Sequence, residues 1–354
     1  MTTRLLLVNY LYASDEFEKK VAREHKVHID ILRAVGGKPS EIPPKLAAQA
    51  DGLISYSAVA KIMLPLDAFP RVRCVLRSGV GFDTIDGPAW GARGVPVFNV
   101  PDYGTSEVAD HAIALMLALT RGTARYHEAL RADPVKNWTH TVAPAVRRLR
   151  GAVFGVIGLG RIGLAAARRA QGFGMEVVFF DPYQPSGFEL ATGLRRMRSL
   201  EELLKIADVI SIHTPLSAET TGMIGAKALA KAKKGLVVVN TARGPVVDLD
   251  ALYDALKSGQ VAAAGLDVLP KEPADTGHKL IRAFLDREEW LDGRLTLSPH
   301  AAFYSPDANV DLRRKTIETV LDYIDNGTLA NCVNREHLVA PVTAAKTAAR
   351  RRSR

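Results

Sequence analysis

Apolar positions in this chain gather into short unbroken runs instead of alternating with polar ones. Leu5-Leu6-Leu7-Val8, Gly52 to Tyr56, Val72 to Arg77 and Val95 to Asn99 each read as a strand covered on both faces, the habit of parallel sheets. Between them, Asp15 to Glu24 has helical spacing. Ser106 to Leu119, apolar at helical spacing behind Gly104-Thr105, predicts a helix long enough to connect two domains. From Gly151 the rhythm becomes regular. Six strands are predicted, at Val153 to Ile157, Glu176 to Phe180, Asp208 to His213, Gly235 to Asn240, Val261 to Leu266 and Arg294 to Leu297. Helices through Ala170, at Leu200 to Ile206 and at Asp250 to Ser258 separate them, and Pro306 to Gly327 reads as an amphipathic helix returning to the first domain.

Strands alternating with helices imply parallel sheets covered on both faces. The predicted class is therefore α/β, with two Rossmann-like, doubly wound domains, the smaller one discontinuous. The expected division is a substrate domain from residues 1–101 and 304–338, a dinucleotide-binding domain at 102–303, and a basic tail at 339–354. A length of 354 residues agrees with two cores.

Composition narrows the setting. No run of 18 apolar residues occurs, and Met1-Thr2-Thr3-Arg4 lacks the layout of a signal peptide, so no membrane partner is expected. Cys74 and Cys332 are the two cysteines, which suits a reducing compartment, and a cytoplasmic location is expected. Of the formal charge of +9, the tail TAAKTAARRRSR contributes +5. A terminal basic run reads as a solvated extension, so nucleic acid is not expected as a partner. The histidines show no metal-ligand spacing, and Cys74 lies within a predicted strand beside no base, so metal and thiol chemistry are not expected.

The chemistry begins after the strand ending at Ile157. Gly158, Leu159, Gly160, Arg161, Ile162 and Gly163 match G-x-G-x-x-G and open a helix, the context in which glycines and helix N–H groups hold a pyrophosphate. Asp181 ends the next strand, where a carboxylate accepts hydrogen bonds from the adenosine ribose and repels a 2′-phosphate, which predicts NAD over NADP. Arg243, Glu272 and His300 each follow the C-terminal end of a predicted strand, where open α/β sheets bind ligands. Histidine can act as base for an alcohol and acid for a ketone near neutral pH. A carboxylate can hold its other ring nitrogen, and an arginine fork pairs with an α-keto acid. Trp90 and Trp138 are expected to pack, His111 to be a packing or interdomain residue, and Tyr56, Tyr103 and Phe303 to form an aromatic pocket wall.

At these residues the sequence resembles the D-isomer-specific 2-hydroxyacid dehydrogenases. The segments Asn240 to Asp248 (NTARGPVVD), Asp267 to Pro273 (D-V-x-x-x-E-P) and Ser298 to Ala302 (SPHAA) are similar to that family's signatures. The resemblance implies an NAD-dependent enzyme for a small 2-hydroxy or 2-keto acid. Arg243 would bind the substrate, His300 serve as acid/base, and Glu272 orient it. The loop Arg77-Ser78-Gly79-Val80-Gly81-Phe82-Asp83 resembles the family's carboxylate loop, with Arg77, Gly79 and Val80 as substrate-binding residues. Asp267 would face the nicotinamide carboxamide, while His213, Thr214, Pro215, Thr241 and Ala242 would line the cofactor together with Arg243 and His300.

A homodimer through the cofactor domain is also implied. Within the family, Arg161, Phe180 to Tyr183, His300 to Ser305 and Asn331 to Leu338 look similar to the C-terminal binding protein branch, whose animal members are NAD(H)-sensing corepressors. That branch supplies the alternative reading, a dinucleotide-gated interaction protein. Phe303 departs from it, since the animal corepressors carry tryptophan there. The chain also ends soon after residue 338, so serine feedback through a further domain is not expected.

Overall fold

A computed structural model of the protein describes residues 2–34, 38–56, 62 and 65–339. Of the expected basic tail at 339–354, residues 340–354 lie outside the described residues. The chain divides into two compact units, Met1–Tyr103 with Pro306–Arg354, and Gly104–Ser305.

The first unit is built on five strands, β1 (Arg4–Tyr10), β2 (His28–Arg33), β3 (Gly52–Ser55), β4 (Cys74–Arg77) and β5 (Val97–Asn99). They lie in the order β2-β1-β3-β4-β5 and every pair is parallel. The apolar runs form the interior strands because both of their faces are covered; every residue of β3 and β4 is buried. Leu6, Val8, Leu53 and Val75 share one core with Phe69 and Trp90. Strand β2 was not among the expected strands. It is an edge strand with partly exposed residues, so His28 and Asp30 interrupt its apolar signal.

The helix Pro306–Asn326 packs on β4 within this unit. Leu312, Ile317, Val320 and Leu321 face inward, and Ser78 and Thr316 share a buried hydrogen bond of 2.9 Å between their hydroxyls. It also meets the helix Glu16–His25 through an ion pair between half-buried Arg313 and fully buried Glu18. Arg313 Nε donates to Glu18 Oε1 at 2.8 Å, and the Tyr10 hydroxyl donates to Glu18 Oε2 at 2.6 Å.

The second unit holds seven parallel strands, β6 (Val153–Ile157), β7 (Glu176–Phe180), β8 (Arg195–Arg196), β9 (Val209–Ile212), β10 (Leu236–Asn240), β11 (Val261–Leu266) and β12 (Leu295–Leu297). Their order is β12-β11-β10-β9-β6-β7-β8. Six were expected; β8 is a two-residue edge piece whose Arg-Arg sequence carries no apolar run. The chain runs outward in one direction through β7 and β8 and in the other through β9 to β12. The switch point therefore lies between β6 and β9, where doubly wound sheets open a ligand crevice.

The helix expected as a connector, Thr105–Thr120, belongs wholly to this unit and packs against β11 and the helix Arg161–Gly172. A further helix, Thr123–Ala132, was not expected, because its composition is polar and buries only Ala129. Trp90 packs against Phe69 as expected, with ring centroids 6.0 Å apart. Trp138 does not pack among the described residues: it is 79% exposed in an irregular stretch. No helix among the described residues is long and apolar enough to cross a membrane.

Candidate active site

Arg243, Glu272 and His300 follow β10, β11 and β12, which are adjacent in the sheet, so the three loops emerge side by side at its C-terminal edge. The Arg243 turn is shaped by Asn240. This fully buried side chain accepts from Ala242 N at 3.0 Å and donates to Arg243 O at 2.9 Å. Arg243 itself donates from Nη1 to Ala242 O at 2.8 Å. Gly244 then brings this turn against the Glu272 loop. A Cβ on it would lie 1.9 Å from the Leu269 carbonyl carbon, so only glycine permits the approach.

His300 Nδ1 and Glu272 Oε2 are 2.7 Å apart, and Glu272 Oε1 accepts from Leu269 N at 3.0 Å. Burial pushes the Glu272 pKa up. The hydrogen bond and charge of His300, the Leu269 N–H and the charge of Arg243 outweigh it, and the net shift is downward. Glu272 is therefore an anion that only accepts. The proton in the shared bond sits on Nδ1, which leaves Nε2 with its lone pair when the ring is neutral.

His300 has φ of +53°, a left-handed conformation that costs a non-glycine residue energy. Its backbone is held by Asp267, which is 2% exposed. His300 N donates to Asp267 O at 2.8 Å, and the Asp267 carboxylate accepts from Ser298 Oγ (2.6 Å), Ala301 N (2.9 Å) and Ala302 N (3.0 Å). Phe303 stands edge-on to His300, with centroids 6.3 Å apart.

His111, expected to pack, is instead a hydrogen-bonding partner here. Its Nε2 lies 2.8 Å from Ser298 Oγ and 3.6 Å from Asp267 Oδ1. Sequence reasoning also missed Asn240 and Ser298 as supporting residues. The signal available was their place inside the quoted segments NTARG and SPHAA, each beside a candidate residue.

Across the switch point the glycine turn fits a dinucleotide. A Cβ on Gly163 would come within 2.1 Å of Gly158 O, so the helix Arg161–Gly172 can lie against the turn only because that position is bare. A Cβ on Gly160 would meet nothing within 4 Å, leaving space at the helix N-terminus for a phosphate. The Leu159 side chain is buried in the core and its backbone faces the Asp181 loop, while Ile162 is half-buried in the first turn of the helix. Arg161 is exposed as the first helical residue.

Asp181 Oδ2 accepts from Leu159 N at 2.8 Å and Oδ1 from Tyr183 N at 2.9 Å. The loop after it is braced by Gln184 Nε2 on Leu159 O (2.8 Å) and by Arg196, whose Nη2 donates to Pro185 O (2.7 Å). After β9, His213 Nε2 shares a hydrogen bond of 2.8 Å with Ser211 Oγ, and burial pushes its pKa down to about 4. Pro215 O accepts from Thr220 Oγ1 at 2.7 Å. The Thr214 and Thr241 hydroxyls are buried without a partner. Two desolvated donors with nothing to bond, on the loops after β9 and β10, are what a bound dinucleotide would satisfy. The residues present fit NAD.

In the first unit, the loop after β4 is stitched by its carbonyls. Val100 N donates to Gly79 O at 2.9 Å and Asn99 Nδ2 to Val80 O at 2.6 Å. Arg77 is 6% exposed and donates from Nη1 to Ser78 O at 2.8 Å. Tyr56 is buried against Tyr10 and Tyr12, with centroids 5.1 and 5.8 Å away. Tyr103 is buried in the same unit. Burial pushes the Cys74 thiol up to about 12, so it is inert at neutral pH.

Residues 113–302 match the model for the D-isomer specific 2-hydroxyacid dehydrogenase, NAD binding domain. A glyoxylate reductase from Korarchaeum cryptofilum is 34% identical over 302 residues, 84% of this chain and 88% of that one. A D-lactate dehydrogenase from Aquifex aeolicus, solved with NAD and lactic acid, superposes with a TM-score of 0.78 at 27% identity, covering 94% and 99% of the two chains. An NADPH-dependent glyoxylate/hydroxypyruvate reductase from Sinorhizobium meliloti, solved with NADP and malonate, gives 0.79 at 28% identity over 94% and 97%. The chain belongs to the D-isomer specific 2-hydroxyacid dehydrogenase family. It is an NAD-dependent oxidoreductase that moves a hydride between NAD(H) and C2 of a 2-hydroxy or 2-keto acid.

Proposed function

We propose that His300 is the acid/base of this reaction, with Glu272 orienting it and Arg243 binding the substrate. The observation that carries the reading is the 2.7 Å bond between His300 Nδ1 and an ionised Glu272. NAD, when bound, supplies the hydride acceptor. In the oxidation direction His300 Nε2 takes the hydroxyl proton as C2 becomes a carbonyl carbon. Glu272 stabilises the imidazolium that results, and reduction runs the same proton back. Arg243 pairs with the acid's oxygens in a fork that lysine would not supply. The N–H groups of Gly79 and Val80, beside Arg77, take the substrate carboxylate.

His213, Thr214, Pro215, Thr241, Ala242 and the turn Gly158 to Gly163 hold the cofactor, and Asp181 selects NAD over NADP through the ribose. Asp267, with its carboxylate on Ser298, Ala301 and Ala302, acts chiefly as an anchor of the His300 turn. The enzyme is proposed to be a homodimer of the cytoplasm. The resemblance to the C-terminal binding protein branch would add a sensing role to the same site.

NADH oxidation at 340 nm across glyoxylate, hydroxypyruvate, pyruvate, phenylpyruvate and branched 2-keto acids tests the reading. A His300→Ala variant should lose about 10²–10⁴-fold in kcat on the fastest substrate. Retention of near-normal turnover would end this assignment. Tight NADH binding with uniformly slow turnover by the wild type would favour the sensor.

A further inference from the structure

We propose that His111 is a positioning residue for the hydride-transfer reaction, holding through Ser298 and Asp267 the turn that carries His300. The inference rests on the reading of His300 as acid/base. The turn needs a restraint, because His300 occupies the left-handed region at φ +53°. Asp267 supplies the first layer, taking the amides of Ala301 and Ala302 and lending its own carbonyl to His300 N. An anchoring carboxylate must itself be fixed, and two side chains reach it.

The hydrogen-bond directions follow from the donors available. Ser298 Oγ gives its one proton to Asp267 Oδ1 at 2.6 Å. The 2.8 Å contact from His111 Nε2 must then be an N–H donating to the serine oxygen, which sets the His111 tautomer. Asp267 Oδ1, 3.6 Å from the same ring nitrogen, lies beside a donor aimed into the cluster. His111 stands on the 16-residue helix Thr105–Thr120, between the buried Val108, Ala109 and Ala112. Its Cα is therefore as rigid as the core of the unit. The chain of contacts runs from a packed helix through a hydroxyl and a carboxylate to the backbone amides of Ala301 and Ala302, directly after His300. A loose acid/base is expensive, since about an ångström of misplacement can cost on the order of 10²-fold in rate.

The test uses the full-length protein and the fastest substrate of the panel, with His300→Ala, His111→Ala and His111→Gln compared for kcat, KM for NADH and melting temperature. We expect His111→Ala to lose about tenfold or more in kcat, with KM for NADH within about twofold of wild type. His111→Gln, whose Nε2 can donate to Ser298, should recover most of that loss. If His300→Ala turns over normally, the acid/base reading and this inference fall together. If His300→Ala is inactive while His111→Ala keeps wild-type kcat, only the inference falls. It also falls if glutamine and alanine are equally impaired with lowered melting temperatures, or if the loss appears in KM alone.

Discussion

The unpartnered hydroxyls of Thr214 and Thr241 separate two demands that usually coincide, stability and binding. A buried hydroxyl without a partner costs about 1–3 kcal/mol in the free protein. Thr241→Val should therefore leave thermal stability unchanged or raise it, yet weaken NADH binding about 3- to 10-fold, measured by fluorescence titration. Asp181 is tied differently, since its two oxygens also pin Leu159 N and Tyr183 N. An Asp181→Ser variant should gain in the ratio of kcat/KM for NADPH over NADH and lose absolute rate with both, because the glycine turn loses an anchor.

His213 adds a pH effect. Its folded pKa, about 4, lies below the ordinary 6.5 because of burial, so the unfolded chain binds more protons between those values. Stability is then full above pH 6.5 and declines as pH falls towards 4. Melting curves should show that slope, and a His213→Gln variant a shallower one.

At the scale of elements, one pair closes the first unit. Glu18 is fully buried, and its partner Arg313 comes from the last long helix. Arg313→Met should cost about 3–5 kcal/mol in denaturant unfolding, since it strands a buried carboxylate, whereas the double change Glu18→Gln with Arg313→Met should cost less. The same scale shows what the amino-acid pattern carries. The interior strands β1, β3, β4, β6, β7 and β9 to β11 were legible because strands covered on both faces must be apolar throughout. The edges were not. β2 mixes His28 and Asp30 with its isoleucines, and β8 is two arginines, because an edge is shaped by pairing and solvent more than by a core.

The candidate residues were legible through their place after strand ends. Their support was not, since the bond from His111 to Ser298 joins residues 187 apart in sequence and no local pattern encodes it. Trp138 misled for the converse reason: a large aromatic predicts burial only if some element arrives to cover it.

For the whole molecule, the second unit carries its own cores, centred on Ile210, Val238 and Leu252 on one face and on Phe154, Val156 and Phe179 on the other. Expressed alone, residues 104–305 should fold cooperatively and bind NADH with little or no turnover, because Arg77, Gly79 and Val80 are missing. Residues 1–103 alone should not reach a native state. Without the helix Pro306–Asn326, β4 loses its cover and Glu18 its counter-charge. Circular dichroism and calorimetry of the two fragments check both expectations.

The Glu18–Arg313 pair also sets a schedule for biosynthesis. The two residues are 295 apart, so at about 5–20 residues per second a ribosome needs roughly 15–60 s to deliver the second after the first. Throughout that interval the nascent amino-terminal strands have emerged with a carboxylate that has no cation to meet. The later-made unit can finish folding before the earlier one, which reverses the usual order of synthesis and maturation. The amino-terminal strands therefore complete their unit only once the helix Pro306–Asn326 has left the exit tunnel.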